Sequence, residues 1–184
     1  MSKKPTTPGA LGAFLYESLR GAIASDGELS AELLSARITK SADDLDKQFV
    51  GEIVVGAMFG AAMAVERSTA GIVGREILTG MKDEFCRHLR EQGAAPQQVE
   101  EWLQILEERF AEYRECLAGY EEMEPPWKLG RLFYWNLTGI EEYPALPIKH
   151  ATLYLLNARD SAQALLNALG PTIALNLPDP QLDM

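Results

Sequence analysis

Thirteen consecutive residues, Ile53 to Val65, carry no charge and no side-chain hydrogen-bonding group, and Glu52 and Glu66 bound them. The run is too short for a bilayer, which needs about 20 apolar residues. It is also too evenly apolar for a helix with one solvent face, so it belongs at the centre of a helical bundle. Gly56 and Gly60 lie four apart, flanked by Ala57, Ala61 and Ala64, which leaves one ridge nearly bare of side chain. Each glycine costs about 1 kcal/mol of helix propensity. Close approach of another backbone is the use that offsets it, so tight core packing is expected there first, ahead of a dimer seam or a bound ligand.

The rest of the chain supports a helical wrapping for that run. Its 184 residues suit one domain with a true core. They include 23 Ala and 25 Leu against 6 Val and 9 Ile, a balance that favours helix over strand. The expectation is an all-α, single-domain bundle of about six or seven helices over residues 10–170, with a disordered arm over 1–9 and an extended tail over 171–184.

Helical spacing of apolar residues places the elements. Leu11, Leu15, Leu19 and Ile23 mark a first helix, opened by Thr7 and Pro8 and stopped by Asp26-Gly27. A short helix is expected near 29–38, and the central one over about 42–66 with Ser41 as its cap. A fourth, about 70–92, carries Ile77, Met81 and Phe85. It is expected to form an antiparallel hairpin with a fifth, whose Val99, Leu103, Leu106, Phe110, Tyr113 and Leu117 make the cleanest seam in the chain. Pro144 and Pro147 are read as bracketing a turn. A last helix then runs over about 148–169 and ends at Gly170-Pro171.

Charge narrows the function classes. With 27 acidic and 17 basic residues the net charge is −10, which argues against nucleic acid and anionic membranes as partners. Nine glutamates but only Arg109 and Arg114 fall in 97–124, so that stretch presents a negative face. Cys86 and Cys116 are too few for a disulfide scaffold and fall about 20 Å apart in the expected hairpin, so they read as free thiols. No signal-peptide core is visible in the sequence, and a cytoplasmic location is the expectation.

Catalytic motifs are missing from the pattern. There is no Gly-x-Ser-x-Gly, no phosphate-binding Gly-rich loop and no Cys-x-x-Cys. Glu84 and His88 could offer two metal ligands, but salt bridging of Arg87 with Asp83 and Glu91 explains that face more simply. No metal and no cofactor are expected, and an enzyme is not the leading reading.

Two candidate sites stand out. After Pro125-Pro126, the segment 127–135 is aromatic and locally basic. Nine of the chain's 15 aromatic residues lie between Phe110 and Tyr154. Trp127, Arg131, Tyr134 and, at the edge, Trp135 share one helix face, which suits core packing, an interface anchor or a pocket. Arg67 and Arg75 form the second candidate, for an anionic ligand, with Ser68, Thr69 and Gly71 as added donors. Their simpler use is pairing with Glu52 or Glu66. The leading expectation is therefore an interaction protein that self-associates as a homodimer or docks a protein partner through Trp127, Arg131, Tyr134 and Trp135. The alternative is a small-molecule protein, possibly an enzyme, that holds an apolar anion between helices near Arg131 or Arg75.

Overall fold

The computed structural model describes residues 5–24, 34, 37–38, 47–69, 71–118, 127–142 and 144–174, apart from the side chains of 47, 48 and 171–174. Among them are six helices and no strand: α1 Pro8–Ala24, α2 Lys47–Ser68, α3 Gly71–Glu91, α4 Pro96–Ala118, α5 Trp127–Thr138 and α6 Ala145–Ala174. The chain is an all-α bundle, as its Ala and Leu content implies.

The central run of α2 is buried as expected. Ile53, Val55, Met58, Ala61, Ala62, Ala64 and Val65 are fully enclosed, and α2 touches every other helix. One described span, Phe49–Ser68, has the length and apolarity to cross a membrane, and 72% of it is buried inside the bundle. Its bare ridge is core packing. A methyl group at Gly60 would lie 2.6 Å from the Leu155 carbonyl oxygen of α6, and one at Gly56 would lie 2.5 Å from the Phe133 ring of α5.

The same device joins α1 to α3. A methyl at Gly12 would lie 1.9 Å from the Ile77 carbonyl oxygen, and one at Gly80 would lie 2.1 Å from the carbonyl oxygen of Gly9. These two helices share the most extensive contact among the described helices. The expected hairpin of α3 with α4 needs correcting on this point. A tight turn at Gly93 (φ 87°) does link them, and Lys82 pairs with Glu107 across the gap. Yet the α4 seam packs its rings on α2: Phe110 and Tyr113 lie 5.3 and 4.9 Å from Phe59, centroid to centroid. Large rings hold the α4 axis away from its neighbours, whereas glycines let α1 lie against α3.

Element ends also shift. Thr7 caps α1 as expected, its Oγ1 accepting from the Ala10 N–H at 3.2 Å. Pro5 is already buried, and so packed into the fold, although it falls in the expected arm. Residues 1–4, most of 29–38, the Ser41 cap and the tail beyond 174 lie outside the described residues. Leu34 and Ile38 are buried, with the Ile38 N–H donating to the Leu34 carbonyl at 2.9 Å. Helix α6 outruns its expected limits at both ends. Pro147 sits in the first turn, where a missing N–H has no helical partner to lose. Pro171 removes a single bond from the last turn, and the helix continues to Ala174.

Candidate functional site

Helix α5 is amphipathic with an inverted emphasis, because some of its largest side chains face outward. Leu129, Gly130, Phe133, Tyr134 and Leu137 form the buried side. Gly130 seats that side on α6, where a methyl would lie 1.8 Å from Thr152 Oγ1 and 3.1 Å from the Ile148 carbonyl oxygen. Phe133 stacks on Tyr154 of α6 at 5.7 Å and meets Tyr113 of α4 edge-on at 6.4 Å. Gly139 (φ 66°) stops the helix, its N–H donating to the Trp135 carbonyl at 2.7 Å.

The four-residue face drawn from the sequence divides. Trp127 and Trp135 are 45% and 46% exposed and Arg131 is exposed between them, whereas Tyr134 is 2% exposed and belongs to the core. Helical geometry explains the split. Steps of four residues drift about 40° in one direction, so 127, 131 and 135 rotate outward. A step of seven drifts about 20° the other way and returns Tyr134 to the buried side.

Helix α6 continues this surface. Leu146 and Leu153 are 61% and 41% exposed, seven residues apart with exposed Lys149 between them. They flank the Ile148–Thr152 edge that receives Gly130, on the side turned away from α2. The α5 stripe likewise flanks Gly130 on the side opposite Phe133, which faces α2. Trp127 and Trp135 on α5 and Leu146 and Leu153 on α6 are thus four exposed large apolar groups on two helices in contact. Residues 127–160 carry four Lys or Arg against Glu141, Glu142 and Asp160, and Asp160 pairs with Arg159. His150 sits at the margin, its basicity lowered by burial and by the positive charges of Arg37 and Lys149.

Arg67 and Arg75 do not take the expected partners. Both are exposed. Glu52 is held instead by Arg109, with Nε and NH2 at 3.1 and 3.0 Å from Oε1. Glu66 is held by Arg114, with NH2 at 2.6 Å. Arg67 lines a cleft of about 340 Å³ with Ser68, Arg159, Asp160, Gln163 and Asn167. Of the added donors, Ser68 Oγ donates to Gln163 Oε1 at 2.7 Å and Thr69 Oγ1 to the Val65 carbonyl at 2.7 Å.

The sequence reading named Glu52 as a buried carboxylate but missed its partner, Arg109. Glu52 is 2% exposed. Arg109 also reaches Glu112 at 3.2 Å, and Asn136 donates to Glu112 at 3.3 Å and to the Tyr113 hydroxyl at 3.3 Å. Burial pushes the Glu52 carboxyl above the usual range while Arg109 pulls it down. A signal was present, because the two arginines of an otherwise acidic helix meet the two glutamates that bound the apolar run.

The remaining reactive groups are occupied or buried. Arg87 binds Glu84 and Glu91, not Asp83, and His88 lies 6.2 Å from the Tyr16 ring. No group of three metal-ligating side chains occurs among the described residues. Cys86 and Cys116 are free thiols, the first buried and the second half-buried, and burial raises both toward the protonated form. No family model, curated protein or solved structure matches this chain.

Proposed function

We propose that this chain is a non-enzymatic interaction protein, cytoplasmic, that docks a protein partner or a second copy of itself through the exposed face of α5. The observation that carries this reading is the pair Trp127 and Trp135, each nearly half exposed on either side of Arg131. Tryptophan and arginine dominate the energetics of interfaces, and two exposed indoles on one short helix are costly to leave in water. Leu146 and Leu153 add two exposed leucines on the neighbouring helix α6.

The double variant Trp127→Ala/Trp135→Ala should weaken association about a hundredfold or more while keeping its helical circular dichroism. Sedimentation equilibrium reads the first and far-ultraviolet spectra the second. A chain that stays monomeric at the highest attainable concentration, and that cross-links to no protein, would sink the reading.

A second reading, small-anion binding, draws on the cleft that Arg67 and Arg159 line with Ser68, Asp160, Gln163 and Asn167, where Asp160 pairs with Arg159 at 2.7 Å. Native mass spectrometry separates the two. A doubled chain mass supports docking, and a co-purifying small mass that is lost in Arg67→Gln supports the cleft.

A further inference from the structure

The cleft at the end of α2 is lined by Arg67, Ser68, Arg159, Asp160, Gln163 and Asn167, so all of its side chains are polar. The core fixes its two walls. A methyl at Gly60 would lie 2.8 Å from Ala158 Cβ and 3.0 Å from the Arg159 backbone nitrogen, so α2 and α6 meet closely about two turns before Ser68. Ser68 Oγ then donates to Gln163 Oε1 at 2.7 Å, and Gln163 Nε2 donates to Asn167 Oδ1 at 2.9 Å. This relay runs one way. It occupies the acceptor oxygens of both amides and ends on Asn167, whose two amide N–H groups remain as donors. Charge follows the same pattern. Asp160 Oδ1 takes the Nε and NH2 groups of Arg159 at 2.8 and 2.7 Å and so neutralises one of the two arginines. Arg67 forms no ion pair among the described residues, which leaves the cleft one net positive charge on a chain of net charge −10.

We infer that this cleft binds a small hydrophilic oxyanion, a phosphate or a carboxylate, held by the Arg67 guanidinium and the Asn167 amide. A guanidinium fork matches either group through two parallel N–H bonds, and the amide adds a neutral donor beside it. The assignment rests on the small-anion reading proposed for the cleft and gives its ligand class. With no apolar side chain on its walls, the cleft does not suit the apolar anion expected from the sequence. Asp160 opposes binding, because it occupies Arg159 and repels an incoming anion.

Isothermal titration calorimetry of the full chain at low salt, with inorganic phosphate and separately with succinate, tests the assignment. At least one probe should bind saturably with a dissociation constant of about 1 mM or tighter, and the arm that binds more tightly tells phosphate from carboxylate. Arg67→Gln should weaken that binding about tenfold or more, the scale of a lost charge-assisted hydrogen bond. Asp160→Asn should tighten it severalfold by releasing Arg159. Arg90→Gln removes the same charge from an exposed position at the opposite end of α3 from Ser68 and should leave binding unchanged. All three variants should keep the helical circular dichroism of the wild type. Binding that survives Arg67→Gln, an equal loss in Arg90→Gln, or weaker binding in Asp160→Asn would each overturn the inference, as would the failure of both probes. If both probes fail but a co-purifying small mass is still lost in Arg67→Gln, the cleft remains a ligand site and only the oxyanion class is wrong.

Discussion

Glu52 shows how one residue can govern the stability of a packed helix. Its carboxylate is enclosed among apolar side chains of α2 and is compensated by the Arg109 guanidinium. A carboxyl whose pKa is higher folded than unfolded binds its proton more readily in the folded state. Its contribution to stability is therefore present at acid pH and lost as pH rises through the folded pKa. Arg109→Ala takes away the partner that restrains that rise. The variant should lose about 3–5 kcal/mol near neutral pH, the usual cost of leaving a buried charge unpaired. The deficit should narrow as Glu52 protonates in mild acid. Denaturant melts of both proteins across that range check it, and a deficit that does not change with pH would refute the account. The identity of this pair was only half legible. Glu52 stood out at the edge of an apolar run, but Arg67 and Arg75 were nearer in sequence, and choosing Arg109 requires knowing that α4 lies along α2.

At the scale of the element, glycines decide which helices touch. Gly12 and Gly21 sit on the same helix, yet a methyl at Gly12 would strike the Ile77 carbonyl while one at Gly21 meets nothing within 4 Å. Gly12→Ala must push α1 from α3 and should cost about 1–3 kcal/mol, the range for overpacking. Gly21→Ala relieves only a poor helix former and should add about 0.5–1 kcal/mol. Chemical denaturation of the two variants measures both, and equal effects would remove the role given to the α1–α3 contact. Helix positions themselves were legible, because apolar spacing marks them, and so was the packing use of Gly56 and Gly60. The α1–α3 pairing was not. Gly9 and Gly80 are 71 residues apart, and spacing within a helix says nothing about which glycine on another helix faces it. The placement of Tyr134 failed for a related reason. Positions 131 and 134 differ by about 60° around the helix, enough to divide an exposed stripe from the core.

For the whole molecule, the arrangement around α2 makes a statement about cooperativity. Every other described helix touches α2, so the core of the bundle is shared through it. Heating should therefore give one transition, with a heat-capacity increment of about 2–3 kcal/mol/K for a chain of this size. Two resolved transitions would show that α1 and α3 form a separable unit. The same scan reports on function, because association stabilises the folded chain by mass action. The midpoint should rise with protein concentration in the wild type and become independent of it in Trp127→Ala/Trp135→Ala. A wild-type midpoint that does not move with concentration would count against self-association through α5. A midpoint that still moves in the double variant would place the contact elsewhere on the bundle.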